Sequence, residues 1–410
     1  MGSKIFLKDV CTRICSGGTP KKNIEGYYKN GRIPWLNTSE IKFNRIRKTA
    51  NFITDTGLEN SSAKWIEPNS VVVAMYGATA GKVAISKIPL TTNQACCNLE
   101  IDQSVADYRY VYYWLKSKNS LLANLANGGA QQNLNAQIIK DLEIDLPDID
   151  TQTRIASFLS LLDDKIELNN QINDYLAEFA DSYFKEAFNS LETNAQLSDI
   201  AQVTMGQSPA GASYNEEGKG AVLYQGRGDF GWRYPTRRLF TTEPKRMASK
   251  NDVLMSVRAP VGDLNIAFED CCIGRGLAAI HSDYQSYVLY LMRSLKSQLD
   301  AYNGEGTVFG SINGKSLKTF PIALPTITAI DDFQNFIKPI DDVIRCNEQE
   351  KRDLEELRDL LLPKLMSGEI DVSQIDLTQL NNHLGCQWCV LIFPSCPFKR
   401  TLLTCLLPII

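Results

Sequence analysis

Apolar residues recur at helical spacing over two long stretches, 151–188 and 329–366. In the first, one position in every seven gives Ile155, Leu162, Asn169, Leu176 and Tyr183, with Phe158/Leu159, Ile166, Ile172 and Phe179 alongside. In the second the series is Phe333, Ile340, Asn347, Leu354 and Leu361, with Phe336/Ile337, Ile344 and Leu357 alongside. A heptad pattern of this length predicts coiled-coil helices, each about 57 Å long for ~38 residues. Pro147 and Pro325 end the segment before each helix, and Asp150 and Thr328 are the expected N-caps. Asn169 and Asn347 occupy the apolar seam near the midpoints, where an antiparallel pair would cross. A buried amide needs a partner, so the two are expected to face each other and fix the register of the helix pair.

Outside these helices the pattern changes. Val71 to Tyr76 is a short, β-branched apolar run stopped by Gly77, which suits a buried strand. Val253 to Val257 has the same character. Helices are expected near 107–125 and 283–301. Their stripes, Tyr108, Val111, Tyr112, Leu115 and Leu122 in one and Tyr287, Leu291, Leu295 and Leu299 in the other, read as core.

The paired elements reflect an internal repeat. Residues 130–171 lie on 308–349 at a constant offset of 178. Leu146-Pro147 falls on Leu324-Pro325, Phe158 on Phe336, Asp163-Asp164 on Asp341-Asp342, and Asn169 on Asn347. Such a period is too long for a solenoid and means two copies of one unit, a globular piece followed by a long helix. The globular pieces repeat more loosely. Leu7 to Val10 resembles Leu197 to Ile200, Gly18-Thr19-Pro20 resembles Gln207-Ser208-Pro209, and Gly81 to Ile85 resembles Gly262 to Ile266. Their drifting offset places insertions in loops on a persistent frame, where recognition usually resides. The expected division is a mixed domain over 1–149, a helix over 150–190, a second mixed domain over 191–327, a second helix over 328–370, and a tail over 371–410. The tail has no repeat counterpart, and stopping the chain after Val372 is expected to leave folding intact. Cys386, Cys389, Cys396 and Cys405 are poorly spaced for zinc and lack a histidine pair, so a non-functional extension is the favoured reading.

Charge sharpens this picture. Residues 1–150 hold 18 Lys+Arg against 14 Asp+Glu, and 191–327 hold 14 against 13. The helices are acidic, with 3 against 7 over 151–190 and 6 against 11 over 328–370. A polyanion would therefore meet the globular pieces. Basic residues cluster there: Lys21, Lys22, Lys29, Arg32, Lys42, Arg45, Arg47 and Lys48 in the first, and Arg227, Arg233, Arg237, Arg238, Lys245 and Arg246 in the second. The eleven cysteines are expected to stay reduced. No export signal and no membrane-spanning run appear in the early or middle chain, so a cytoplasmic protein is expected.

Catalytic chemistry is scarce. The chain has two histidines, His281 and His383, and neither has an evident partner. Gly77 to Lys82 imitates a phosphate loop, but its glycine spacing is one short and Val83 replaces the magnesium-binding hydroxyl. Its counterpart, Arg258 to Asp263, points to a shared turn. Gly226-Arg227-Gly228 and Gly274-Arg275-Gly276 set arginines between glycines, as either a tight turn or a guanidinium offered to a guanine edge. If the globular pieces read a nucleic acid, the candidate readers are polar loop residues: Asn37, Asn93, Gln94, Gln131 and Gln132 in the first piece, and Gln225, Arg227, Arg258 and Arg275 in the second. Trp35 and Trp232 lie nearby, with core packing expected for both.

The duplicated run from Leu-Pro into Asp-Asp resembles the specificity subunit of Type I restriction–modification systems. So do Asn133-Leu134-Asn135, Ser311-Ile312-Asn313 and the closing run Leu361 to Ile370. The resemblance covers about residues 4–372. It implies an α+β fold: two similar target-recognition domains separated by an antiparallel two-helix coiled-coil spacer with pseudo-twofold symmetry. Each domain would read one half of a bipartite duplex DNA site. The spacer would dock two methyltransferase subunits, and motor-nuclease (restriction/translocase) subunits would join restriction-competent assemblies. S-adenosylmethionine, ATP and magnesium would bind those partners, leaving this chain non-catalytic and without a cofactor of its own. Two other readings stand beside it: a two-headed protein-binding scaffold without DNA recognition, and an enzyme whose motifs have blurred.

Overall fold

The computed structural model describes residues 3–127, 134–188, 190–304 and 310–375. The chain divides into two compact units, 1–169 with 349–410, and 170–348. Each unit therefore holds a globular piece and parts of both long helices, Ile149–Phe188 and Ile327–Ser367. The expected tail over 371–410 falls largely outside the described residues.

In the first unit the strands are β1 Ser3–Phe6, β2 Cys11–Ser16, β3 Ile33–Leu36, β4 Arg45–Ile46, β5 Asn51–Ile53, β6 Trp65–Ile66, β7 Val71–Ala74, β8 Val83–Ser86, β9 Leu90–Thr92, β10 Cys96–Ile101 and β11 Glu143–Leu146. They form sheets ordered β2-β10-β7-β8-β4 and β5-β3-β9-β6, with β1 paired to β11. In the second unit they are β12 Ala195–Gln196, β13 Gln202–Met205, β14 Tyr214–Asn215, β15 Ala221–Tyr224, β16 Phe240–Thr241, β17 Met247–Ala248, β18 Val253–Ser256, β19 Leu264–Ile266, β20 Cys271–Ile273, β21 Leu277–His281 and β22 Pro321–Ile322. The orders β13-β21-β18-β19, β14-β16-β15-β20-β17 and β12-β22 repeat the first unit's frame, with β14 added at one edge and, among the described residues, no strand matching β4 at another. The apolar runs at Val71 and Val253 are the fully buried strands β7 and β18. The loop that imitates a phosphate site is a turn in both units: Gly81 and Gly262 each sit at φ +83°, a conformation that disfavours a side chain.

Tyr108–Ser117 and Gln285–Ser294 form helices over these sheets, and their apolar stripes are core. The first expected helix is broken at Lys118, where a second begins at Asn119. Each long helix starts earlier than the pattern suggested. Asp148, not Asp150, accepts the Thr151 N–H at 2.9 Å. Thr326, not Thr328, accepts the Ala329 N–H at 3.4 Å. The cap follows directly on Pro147 and Pro325, which have no N–H to lose and sit outside the helix.

The two long helices run antiparallel within each unit. In the first, Phe158, Leu159, Leu162 and Ile166 share a core with Leu354, Leu361, Leu362 and Leu365. In the second, Ala177, Ala180 and Phe184 share one with Phe333, Ile337 and Ile344. The duplicated aspartates latch the globular pieces to these helices. Tyr113 donates to Asp163 at 2.6 Å, and Tyr290 donates to Asp341 at 2.9 Å. Within its own unit each seam asparagine has a partner: Asn169 donates to Glu350 at 2.6 Å in the first unit, and Asn347 to Asn173 at 2.8 Å in the second. Among the described residues no helix is long and apolar enough to cross a membrane.

Candidate nucleic-acid interface

In the first unit, β3 and β9 are parallel neighbours, and the chain emerges from both at the same end. The Asn93 N–H donates to Leu36 O at 3.0 Å, and the Gly18 N–H to Thr92 O at 2.8 Å, so three loops meet there. Asn37 and Asn93 are half-buried and brace this junction. Asn93 Nδ2 donates to Asn37 Oδ1 at 3.2 Å, and Asn93 Oδ1 accepts from the Ala95 N–H at 3.1 Å. The Asn37 N–H in turn donates to Glu40 Oε1 at 3.1 Å. Gln94 is exposed and accepts from the Thr19 hydroxyl. Gln131 and Gln132, like Asn133, lie outside the described residues.

The second unit builds the same junction with different side chains. β15 and β20 are parallel; the Gly274 N–H donates to Tyr224 O at 2.8 Å, and the Gln207 N–H to Ile273 O at 2.9 Å. The Gln225 N–H donates to Asp229 Oδ2 at 2.7 Å, as Asn37 does to Glu40. Tyr28 donates to Pro20 O at 2.6 Å, and Tyr214 to Pro209 O at 3.1 Å, so even the loop supports correspond. Ser208 Oγ accepts the Arg275 N–H at 3.3 Å. Gln225, Arg227, Arg258 and Arg275 are all exposed. The Val257 N–H donates to Gly276 O at 3.0 Å, which sets Arg258 beside the Arg275 loop. Arg227 is partly engaged, since its Nε donates to Asp263 at 2.8 Å.

Several basic residues expected at this face do other work. Arg45 is ion-paired with Asp164, and Arg47 with Glu167 at 3.2 Å, on the first long helix. Arg233 is buried against Tyr290 and ion-paired with Asp341 on the second. Arg237 and Arg238 pair with Glu269 at 2.9 Å and Asp229 at 3.1 Å. The charge segregation between pieces and helices is thus partly neutralised by ion pairs within each unit. Trp35 is core, donating to Gly18 O at 2.9 Å, as expected. Trp232 is exposed instead, on a loop that the sheets do not cover. Thr19 and Ser208 belong to the junction although neither was singled out as a reader. Their repeated Thr-Pro and Ser-Pro dipeptides were the available signal. Among the described residues no group of three or more His, Cys, Asp or Glu could hold a metal ion.

The two junctions fall within two matches to one family model. Residues 3–178 and 192–358 each match the Type I restriction modification DNA specificity domain. The chain is 29% identical over 399 residues to the putative type I restriction enzyme MjaX specificity subunit of Methanocaldococcus jannaschii, covering 89% of this chain and 93% of that one. It is 25% identical over 412 residues to the MjaIX specificity subunit of the same organism, covering 90% and 93%. The crystal structure of a Type I restriction-modification system S subunit from M. genitalium aligns with a TM-score of 0.58 at 19% identity, over 89% of this chain and 96% of that one, which supports the fold. With both halves of the chain matched in this way, the protein belongs to the Type I restriction modification DNA specificity family.

Proposed function

We propose that this chain is the DNA sequence-recognition subunit of a Type I restriction–modification enzyme, with each unit reading one half of a bipartite duplex site. The observation that carries this reading is the duplicated three-loop junction. One frame presents amides in the first unit and guanidinium groups with a glutamine in the second. A shared frame with divergent tips is what two readers of different sequences require. The long helices would dock two methyltransferase subunits, and restriction/translocase subunits would join where restriction is active. The chain itself is non-catalytic in this reading. S-adenosylmethionine, ATP and magnesium belong to the partners, and the assembly works in the cytoplasm, where it meets DNA.

Co-expression with its methyltransferase subunit in a methylation-free host, followed by methylome sequencing, tests this directly. The expected result is adenine methylation at a two-part motif with an unspecified gap, appearing only when this chain is present. Methylation independent of the chain, or methyl transfer by the chain alone, would overturn the proposal.

A further inference from the structure

In the second unit the loops at 225–226 and 274–276 pack backbone against backbone. A Cβ on Gly276 would stand 2.5 Å from Gln225 O, and one on Gly274 would stand 3.0 Å from the Gln225 Cα. Glycine on both sides of Arg275 thus seats its loop against Gln225, and the Gly276 N–H donates to Gln225 O at 3.1 Å. Arg227, Arg233, Arg237, Arg238 and Arg293 in this unit are each paired with an aspartate or glutamate. The exposed Arg275 guanidinium has no ion pair or hydrogen bond among the described residues, so its whole donor fork is available to a ligand. Lys245 and Arg246 flank the site, because the Ile273 N–H donates to Arg246 O at 2.9 Å, and both are exposed. Their charges suit the sequence-independent attraction of a phosphate backbone. At the matching place the first unit carries Gln94, with no arginine.

Backbones one strand spacing apart, ~4.8 Å, can reach base pairs stacked ~3.4 Å apart. We infer that Arg275 and Gln225 read adjacent base pairs of the half-site bound by the second unit, Arg275 a guanine through O6 and N7, Gln225 an adenine through N6 and N7. The inference rests on the DNA-recognition reading above and specifies it.

The test uses the full chain assembled with its methyltransferase subunit, and duplexes carrying the motif that methylome sequencing defines. Exchange of 191–327 for another family member's segment first identifies which half the second unit reads. That half is expected to contain adjacent G·C and A·T pairs. Placing 7-deazaguanine at the guanine should weaken binding by at least about fivefold, with no further loss when R275Q is the protein. R275Q should shift the preference there from guanine to adenine, and R275K, which keeps the charge and loses the fork, should relax it. A half-site without the adjacent pairs would overturn the inference. So would R275Q and R275K weakening every sequence equally, as a phosphate contact would, or 7-deazaguanine without effect. If the exchange of 191–327 rewrites neither half, the DNA-recognition reading itself fails. If it rewrites one half while R275Q leaves that half intact, only the Arg275 inference fails.

Discussion

Asn347 donates its side-chain amide to Asn173 Oδ1 at 2.8 Å, with both residues buried between the long helices of the second unit. Asn173 donates in turn to Ile344 O at 3.4 Å. N347L should leave the Asn173 carbonyl oxygen buried without its donor, at a cost of about 1–3 kcal/mol. N173L/N347L removes both amides and should be less destabilised than the single variant. Urea denaturation of the wild type, N347L and the double variant decides this; a double variant less stable than N347L would contradict it.

Arg233 and Asp341 form a buried ion pair with Tyr290, their side chains 4% and 15% exposed. R233M strips a largely buried carboxylate of its cation and should cost about 3–5 kcal/mol. R233M/D341L replaces both charges by apolar groups and should recover most of that loss. The denaturation midpoints give the coupling directly, and two independent, additive effects would show that the pair does not act as a latch.

The legible parts of this fold were those set by local pattern. The heptads at Ile155 and Phe333, the buried strand at Val71 and the shared turn at Gly81 and Gly262 follow from spacing and backbone preference alone. Helix starts were misplaced by two residues because Asp148 and Asp150, like Thr326 and Thr328, are equally good caps in sequence. Among the described candidate readers, Asn37, Asn93, Gln225 and Arg275 follow closely on strand ends, but which of them is free for a ligand is not legible in the sequence. Whether Asn93 braces or reads depends on Asn37, far off in the chain. Whether Arg45 or Arg275 is free for DNA depends on acids that only folding brings near. Long-range pairing leaves no mark on local sequence.

Lys116 Nζ in the first unit is buried without a hydrogen-bond partner among the described residues, 5.6 Å from the Phe43 ring centroid. Burial pushes its amine down from 10.5 to about 8. Asp163 on the first long helix and Glu355, Arg358 and Asp359 on the second face it, but Arg358 already bonds Asp163 at 2.8 Å and Asp359 at 2.9 Å. Between pH 8 and 10.5 the unfolded chain holds a proton that the folded chain has released, so stability gains with rising pH across that window. Below it the folded amine is also charged, and the full desolvation penalty remains. K116M should therefore be more stable at pH 7, by about 1–3 kcal/mol, and the gain over wild type should shrink through the window. A variant less stable at pH 7, with the difference unchanged by pH, would reject this assignment.

The end of the second long helix is tied back into the first unit. Ile370, Val372 and Ile375 are buried in its core, and Arg154 donates to Ser373 O at 3.2 Å and Ile375 O at 3.4 Å. A stop after Val372, which the sequence suggests would leave folding intact, removes the Arg154 contacts and the buried Ile375. Ending the chain at Ile375 keeps every described contact and should leave the melting temperature within a degree or so of the full chain. Ending it at Val372 exposes the site of the Ile375 side chain, worth about 1.5–3 kcal/mol, and removes both acceptors from Arg154. Scanning calorimetry of the two truncations separates these outcomes. Equal melting temperatures for both would show that the 373–375 segment adds nothing, whereas a loss shared by both would move the stabilising contacts beyond Ile375.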